Sequence, residues 1–161
     1  MIDRRYLLAG LALGGGVIAA PMLFAKSSRP QAAPGWRLSE AEWKKRLTAP
    51  QFYVLREAGT ERPFSHPLDK EKRAGTFVCA GCALPLYSSK TKYDSKTGWP
   101  SFWAPLKGGI ATSTDYDLGY ARVEVHCKRC GGHLGHVFND GPKPTGKRYC
   151  MNGAALTFRA A

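Results

Sequence analysis

Two Cys-x-x-Cys pairs constrain the fold of this chain more than any other feature of its sequence. The first pair is Cys79 and Cys82, and the second is Cys127 and Cys130. This spacing allows both thiolates of a pair to bind one ion, and four thiolates complete a tetrahedral zinc site. The pairs must then meet in the folded protein. Residues 83–126 lie between them, a tolerable gap because loop-closure entropy grows slowly with length.

Zinc is not the sole chemistry that this pattern allows. The four thiols could form two disulfides, or one pair could act as a thiol–disulfide exchange motif. The paired spacing favours zinc, with one ion per chain. Because four thiolates leave no open coordination position, we expect the ion to be structural rather than catalytic.

The fifth cysteine, Cys150, has no partner in this arrangement and is a candidate nucleophile. In an extended segment, Arg148, Cys150 and Asn152 lie on one face. A neighbouring guanidinium lowers the pKa of a thiol and increases its thiolate fraction. The amide of Asn152 can orient a polar group of a substrate or a histidine. The alternative is a buried structural cysteine, a common role for an unpaired one.

Two histidines three residues apart, His133 and His136, favour the nucleophile interpretation. Gly135 between them permits a bend that brings both rings to one cavity. Asp140, four residues after His136, is placed to orient or charge that ring. Two alternatives exist: one ring bonds to a backbone carbonyl while the other is exposed, or the rings bind metal. Four cysteines already fill a tetrahedral zinc, which disfavours the second.

The segment 97–103 places three aromatic residues, Trp99, Phe102 and Trp103, around Pro100. Such a cluster forms either a rigid turn in the core or an aromatic wall for a small apolar group.

Residues 39–161 predict an antiparallel β domain that begins with two short helices. Ser39 and Glu42 form a capping box at the start of the first helix. Thr48 precedes the second helix, whose C-cap glycine is expected at Gly59. Four segments have the residue composition of β-strands and are predicted to form them: 76–79, 120–127, 148–152 and 155–158. In 120–127, one face is formed by Ala121, Val123 and Val125, and the other by Arg122, Glu124 and His126.

Residues 1–25 are predicted to be a twin-arginine export signal. Arg4 and Arg5 precede an uncharged run, Tyr6 to Ala25, that four glycines interrupt. A membrane anchor is the alternative, because twenty uncharged residues just span a bilayer. Export by this route delivers a folded, metal-loaded protein to the bacterial periplasm, either free or attached to the membrane by the uncleaved segment. Residues 26–38, rich in proline and lacking apolar periodicity, predict a flexible tether.

The net charge of +12 suggests a second class of function, a zinc-knuckle protein that binds nucleic acid. The basic residues are scattered, however, and neither the export signal nor Cys150 fits that class, so we expect no nucleic-acid partner. A third class is a thiol–disulfide exchanger, which would require metal-free Cys-x-x-Cys pairs.

Five segments together closely resemble the methionine-R-sulfoxide reductases of the B type. The resemblance extends from about Ser39 to Phe158, with the motifs in the same order as in that family. The segments are Gly-Thr-Glu-Arg-Pro-Phe (59–64), Val-Cys-Ala-Gly-Cys (78–82), Thr-Gly-Trp-Pro-Ser-Phe (97–102), Gly-Gly-His-Leu-Gly-His-Val-Phe (131–138) and Arg-Tyr-Cys-Met-Asn (148–152).

The resemblance implies a fold of two antiparallel β-sheets, with a structural zinc on Cys79, Cys82, Cys127 and Cys130 away from the active site. It implies a repair enzyme for oxidised proteins or peptides, in which Cys150 attacks the sulfoxide sulfur and becomes a sulfenic acid. In that family pattern, His133, His136 and Asn152 bind and protonate the oxygen. Trp99 holds the methyl group, Arg148 assists the thiolate, and Asp140 matches an acidic position.

One position departs from the family pattern. Many members carry a resolving cysteine immediately before the Gly-Trp-Pro-Ser-Phe motif, where this chain has Thr97. With four cysteines on zinc, no spare thiol is expected to form an internal disulfide with Cys150. We therefore predict that an external, thioredoxin-like thiol reductant returns Cys150 to its reduced form.

Overall fold

The computed structural model describes residues 31–161 of this chain. The predicted export signal, residues 1–25, and the first half of the predicted tether lie outside the described residues. Within the second half, the backbone N–H of Ala33 donates to the carbonyl of Arg129 at 2.8 Å. The Trp36 ring stacks on Trp43 with 6.2 Å between ring centres. These contacts join residues 31–38 to the domain that follows.

Two short helices, α1 (Glu40–Arg46) and α2 (Ala49–Glu57), begin the domain. Capping boxes formed by Ser39 with Glu42 and by Thr48 with Gln51 begin them, as the sequence predicted for the first. The end of α2 differs from the expectation, because the left-handed residue is Ala58, with φ 58°, and not Gly59. At Gly59 a Cβ would lie 2.3 Å from the exposed Tyr53 ring, so a larger residue there would displace that ring.

Nine strands follow, and three short 3₁₀ turns lie between them, at Pro67–Lys70, Ser89–Thr91 and Gly153–Ala155. The strands are β1 (Gly75–Cys79), β2 (Pro85–Ser88), β3 (Lys92–Tyr93), β4 (Ser101–Phe102), β5 (Ile110–Asp115), β6 (Arg122–Cys127), β7 (His133–Phe138), β8 (Arg148–Met151) and β9 (Leu156–Ala160).

The strands form two antiparallel sheets. Three strands pair in the order β2-β1-β9, and six pair in the order β3-β4-β8-β7-β6-β5. The predicted fold class, two antiparallel sheets with short N-terminal helices, is confirmed. In the described residues, no helix has the length and apolar character that a bilayer-crossing segment requires.

Aromatic side chains fill the space between the sheets. Phe77 of β1 packs edge-on against Phe102 of β4, with ring centres 4.9 Å apart. Tyr87 of β2 stacks on Phe102 at 4.3 Å, and its hydroxyl donates to the sulfur of Met151 at 3.2 Å. All four side chains are fully buried. Because Phe102 and Met151 adjoin the strand residues that form the site, this core holds β4 and β8 in place.

The predicted strand at 120–127 begins two residues later, at Arg122, and its polar face is not the solvent face. Glu124 and His126 are 5% and 0% exposed, whereas Val123 on the opposite face is 45% exposed. The alternation is as predicted, and both faces are largely buried, because Val125 is 0% exposed on the apolar face and polar partners on β5 and β7 cover Glu124 and His126.

Candidate functional site

The two Cys-x-x-Cys pairs meet in one buried cluster beneath α2. Their four sulfur atoms all lie within 4.8 Å of one another. The closest approaches cross between the pairs, at 3.6 Å for Cys79 and Cys130 and 3.4 Å for Cys82 and Cys127. These separations suit a tetrahedron of thiolates, in which bonds of about 2.3 Å place sulfurs about 3.8 Å apart. The residues therefore fit a metal ion.

The protonation of the cluster is consistent with a need for a cation. Hydrogen bonds from the neighbouring thiols, with burial added, raise the pKa of Cys79 and Cys130. Four such groups cannot all ionise in a buried site unless a cation neutralises them. No disulfide links the five cysteines. The cluster can hold one metal, and with four ligands it has no open position for catalysis.

A row of polar residues crosses one face of the six-stranded sheet. Residues directly opposite each other in paired strands share a face, so the pairings define the row. It runs from β5 to β3 through Ser113, Glu124, His136, Cys150, Ser101 and Tyr93. Cys150 and His136 are direct cross-strand neighbours at its centre.

Cys150 lines a cavity of about 160 Å³ that opens to solvent. Gly135 allows β7 and β8 to approach closely here, because a Cβ at that position would lie 2.1 Å from the Cys150 carbonyl oxygen. Its φ of 155° also departs from ordinary extended backbone. The lining residues are Thr60, Trp99, Arg122, Gly135, His136, Phe138, Cys150, Met151 and Asn152.

Burial raises the pKa of the Cys150 thiol, while the charge of Arg148 and a hydrogen bond with Thr97 oppose that rise. The Thr97 hydroxyl lies 3.9 Å from the Cys150 sulfur, and Ser95 joins it to Ser101 at 2.8 and 2.7 Å. The sequence predicted that Arg148 would lower the pKa. It does act in that direction, but desolvation is larger, so the thiol keeps its proton at neutral pH.

His136 is held by a carboxylate that the sequence analysis did not identify. Its Nε2 lies 2.7 Å from Oδ2 of Asp115, a residue that is 4% exposed. The same oxygen accepts a hydrogen bond from Arg122 at 2.5 Å, and Oδ1 accepts one from the Asp117 N–H at 2.7 Å. Burial alone would raise the pKa of Asp115, but these donors lower it. An ionised Asp115 accepts a hydrogen bond from the Nε2–H group of His136, so the other ring nitrogen remains available to the cavity.

Burial lowers the pKa of His136, and the bond to Asp115 only partly offsets this effect. The ring is therefore neutral at pH 7. The site at rest consists of a thiol and a neutral imidazole rather than a thiolate and an imidazolium. Transfer of the thiol proton to this ring would generate both a nucleophile and an acid in one step.

His133 lies behind His136, outside the residues that line the cavity. Its ring centre is 5.5 Å from that of His136, and its Nδ1 lies 2.5 Å from Glu124 Oε1. Glu124 also contacts His126 at 3.2 Å, and Nε2 of His126 bonds to Ser113 at 2.8 Å. Nε2 of His133 is buried and has no hydrogen-bond partner among residues 31–161. The bend at Gly135 thus brings the two rings together, but only His136 meets the cavity.

Asn152 and Trp99 are held by Glu61, another residue that the sequence analysis missed. The Glu61 N–H donates to Oδ1 of Asn152 at 3.0 Å, and its carbonyl accepts from the Trp99 indole N–H at 3.2 Å. The Asn152 amide nitrogen donates to the Leu134 carbonyl at 3.1 Å. One of its two N–H groups remains for a ligand, since a primary amide carries two donors. The indole edge and the amide therefore face one cavity in fixed positions.

Asp140 does not orient His136, contrary to the expectation. It forms two hydrogen bonds with the Arg148 guanidinium, at 2.9 and 2.8 Å, and that guanidinium also lies over the Phe138 ring at 4.4 Å. Neither Asp140 nor Arg148 lines the cavity. The reason is register: Phe138 pairs with Arg148, so the turn that contains Asp140 folds back onto β8, while Asp115 on β5 meets His136.

The residues missed from sequence are carboxylates whose partners are distant along the chain. Asp115 and His136 are 21 residues apart, and Glu61 and Asn152 are 91 apart. Their signal was weak but present: Glu124 and His126 interrupt an otherwise apolar strand, and Glu61 lies within one of the recognised motifs.

The similarity of this chain to known proteins covers the domain that contains both the cluster and the cavity. A family model described as the SelR domain matches residues 47–160. The peptide methionine sulfoxide reductase MsrB of Leptospira interrogans is 52% identical over 122 residues, covering 75% of this chain and 93% of that protein. The MsrB protein of Agrobacterium fabrum is 48% identical over 127 residues, or 78% and 94% of the two chains. That of Methanosarcina barkeri is 52% identical over 122 residues, or 75% and 86%.

Proposed function

This chain belongs to the MsrB family of peptide methionine sulfoxide reductases, and we propose that Cys150 is the nucleophile with which it reduces methionine-R-sulfoxide. The reaction returns oxidised methionines of proteins to methionine. One observation carries the role of Cys150. Cys150 is partly exposed in the cavity and has a histidine as its direct cross-strand neighbour, whereas the other four cysteines form the buried cluster.

In the proposed step, His136 accepts the proton of the Cys150 thiol, and the resulting thiolate attacks the sulfoxide sulfur. The same proton then passes from His136 to the sulfoxide oxygen, which is a poor leaving group until protonated. The attack forms a bond between the two sulfur atoms, and that bond breaks as the protonated oxygen moves from the substrate sulfur to the Cys150 sulfur. The products are methionine, reduced by two electrons, and a Cys150 sulfenic acid, oxidised by two. Asp115 keeps the His136 ring oriented throughout.

The neutral resting pair supports this order of events. An imidazolium is not present in advance, because burial lowers the pKa of His136 and raises that of Cys150. The sulfoxide oxygen, which carries partial negative charge, favours the protonated ring once bound. The free N–H of Asn152 is a second donor for that oxygen.

Chirality at sulfur is proposed to be recognised by two fixed surfaces. Trp99 provides an apolar indole for the methyl group, and Asn152 with His136 provides donors for the oxygen. With the main chain of the substrate directed out of the cavity, these two surfaces accept one configuration. His133 supports His136 from behind, and Arg148 with its partner Asp140 limits the rise in the pKa of Cys150.

Thiols reduce enzymes of this family, and for this chain we propose an external, thioredoxin-like donor. The Thr97 hydroxyl lies 3.9 Å from the Cys150 sulfur, and a hydroxyl cannot form a disulfide. A donor thiolate attacks the sulfenic sulfur, releases water and forms a mixed disulfide, and a second thiol then regenerates Cys150. Mass spectrometry of oxidised protein should find Cys150 in no intramolecular disulfide.

We propose zinc as the metal of the four-cysteine cluster. Cys79, Cys82, Cys127 and Cys130 would hold it, and the bound ion would neutralise their charge and join β1, β6 and the turns after them. The cluster is closed and separate from the cavity, so it contributes to folding and supplies no step of the reaction.

Localisation in the bacterial periplasm by the twin-arginine route remains our proposal, as does attachment through an uncleaved signal. The support is the Arg4-Arg5 pair before the uncharged, glycine-rich run to Ala25. A fusion of residues 1–38 to a reporter that is active only when exported folded tests it, with Arg4→Lys and Arg5→Lys together as the control. Export that persists in the double variant would contradict the route.

The reaction is tested with the separated R and S sulfoxides of a blocked methionine and with dithiothreitol as reductant. We expect consumption of the R form alone, and no turnover by Cys150→Ser with its zinc content intact. Turnover by Cys150→Ser would exclude Cys150 as the nucleophile.

A further inference from the structure

Exposed apolar side chains are concentrated in one turn of the domain. Residues 31–161 expose six large hydrophobic side chains, and three of them lie in the turn between β5 and β6. Tyr116, Leu118 and Tyr120 are 58%, 60% and 59% exposed. A cluster of this kind on a soluble domain usually marks an interaction surface. We refer to these three residues as the hairpin tip.

The hairpin tip is attached rigidly to the catalytic histidine. Asp115, the last residue of β5, bonds to His136, to Arg122 at the start of β6, and to the N–H of Asp117 inside the turn. Arg122 also lines the cavity together with Cys150. The surface of the cavity therefore continues through Arg122 to the hairpin tip.

A second exposed aromatic, Phe64, lies beside the opposite wall. It is 65% exposed, and its N–H donates to the Gly98 carbonyl at 2.7 Å, next to Trp99. A Cβ at Gly98 would lie 2.8 Å from the Phe64 ring, so the ring covers this turn closely. The φ of Phe64 is 62°, a left-handed conformation that is strained for a bulky residue. An aromatic side chain that is both strained and exposed at a site wall indicates a binding role.

The order of the strands places Cys150 between these two surfaces. On one side of β8 lie β7, β6 and β5, which carry the hairpin tip, and on the other lies β4, which the 97–99 turn precedes. At about 4.8 Å per strand, the base of the hairpin is roughly 10 to 14 Å from β8, a distance that an extended chain covers in about three or four residues.

We propose that the hairpin tip and Phe64 bind the apolar residues on either side of the oxidised methionine in an extended, unfolded polypeptide. The inference deepens the proposed function and rests on it. Folded proteins bury such neighbours, so the surface selects segments that are exposed by unfolding. Residues 116–121 carry Asp117 and no lysine or arginine, which disfavours an anionic membrane as the occupant despite the net charge of +12.

The test compares three substrates with the full chain and dithiothreitol. They are the blocked single-residue R-sulfoxide, a peptide with leucines at the first four positions on each side of the R-sulfoxide, and the same peptide with serines at those positions. The wild type is expected to show a kcat/KM about tenfold higher for the leucine peptide than for the serine peptide, about what partial burial of one or two leucines provides.

Leu118→Ser and Phe64→Ser are each expected to lower that ratio toward one while turnover of the blocked single residue stays unchanged. Tyr53→Ser is the matched control, because Tyr53 is also 50% exposed but lies on α2 and does not line the cavity, and its ratio should not change. Equal rates on the two peptides in the wild type, or an unchanged ratio in both variants, would overturn the proposal. If the wild type turned over none of the three substrates, the proposed function itself would be refuted.

Two further measurements distinguish other occupants of the surface. Analytical ultracentrifugation compares the oligomeric state of the wild type with that of Leu118→Ser. Self-association of the wild type that is lost in the variant would overturn the proposal, because a second copy of the chain would then cover the hairpin tip. Binding of anionic phospholipid vesicles by the full chain, if it were lost in Leu118→Ser, would overturn the proposal in favour of a membrane surface. We expect neither.

Discussion

Replacement of Glu61 should disturb stability and substrate selection together. Its carboxylate accepts hydrogen bonds from the buried N–H groups of Gly153 and Ala154, at 2.6 and 2.8 Å. Its own backbone holds the Asn152 amide and the Trp99 indole. One side chain therefore anchors the segment from which both substrate-binding groups are positioned.

The magnitude follows from the two carboxylate bonds. A buried N–H left without a partner costs about 1–3 kcal/mol, so Glu61→Ala should lower the free energy of unfolding by about 2–5 kcal/mol. Glu61→Gln keeps one acceptor and places an N–H₂ opposite the other N–H, so about half of that loss remains. For a domain of this size the alanine variant should unfold about 10 °C lower.

Denaturant unfolding and steady-state kinetics would measure both effects. Besides the lower stability, we expect a lower kcat/KM for the R-sulfoxide and weaker discrimination between S-methyl and S-ethyl sulfoxides, because the indole that contacts the methyl group loses its anchor. Glu57→Gln, an exposed glutamate at the end of α2, is the control and should match the wild type. Wild-type stability and selectivity in Glu61→Ala would refute the positioning role.

Three further results are expected. In Arg148→Ala the rise of kcat/KM with pH should occur at higher pH, because burial raises the pKa of Cys150 and the Arg148 guanidinium opposes that rise. Arg148→Lys keeps a positive charge and should shift the profile less. An unchanged pH profile in Arg148→Ala would show that the Arg148 charge does not affect the Cys150 thiol. For Glu124, burial alone would raise the pKa, but hydrogen bonds from His126 and His133 lower it below its ordinary 4.5. Its contribution to stability is therefore complete above that pH and is lost as the pH falls further, and Glu124→Gln should flatten the acid limb of the stability curve measured by urea unfolding. Chelation, or Cys79→Ser, should release the metal and lower the thermal midpoint, with metal content measured per chain; an intact midpoint in metal-free protein would show that the cluster does not stabilise the fold.

The four-cysteine cluster and the unpaired Cys150, our proposed nucleophile, could be predicted from sequence because each depends on residue identity and local spacing. Cys-x-x-Cys pairs Cys79 with Cys82 and Cys127 with Cys130 irrespective of the intervening chain, and arithmetic leaves Cys150 unpaired. The capping boxes at Ser39 and Thr48 are local for the same reason. These predictions used interactions that span only a few residues.

The carboxylates of the site could not be assigned in that way. Asp140 was the nearest acid along the chain to His136, but strand pairing brought Asp115 to that ring and left Asp140 with Arg148. In a sheet, register decides which side chains meet, and a single-residue shift would turn each to the other face. Sequence distance is therefore a poor guide to electrostatic partners here.

Residue types and their spacing establish which reactive groups the chain carries: four thiols that can bind a metal, one unpaired thiol, and two histidines three residues apart. The protonation state of those groups follows from the packing of the folded chain. Burial between the strands outweighs the guanidinium of Arg148, so Cys150 holds its proton, and burial also keeps His136 neutral. Desolvation depends on everything packed around a group, and it exists only once the chain has folded.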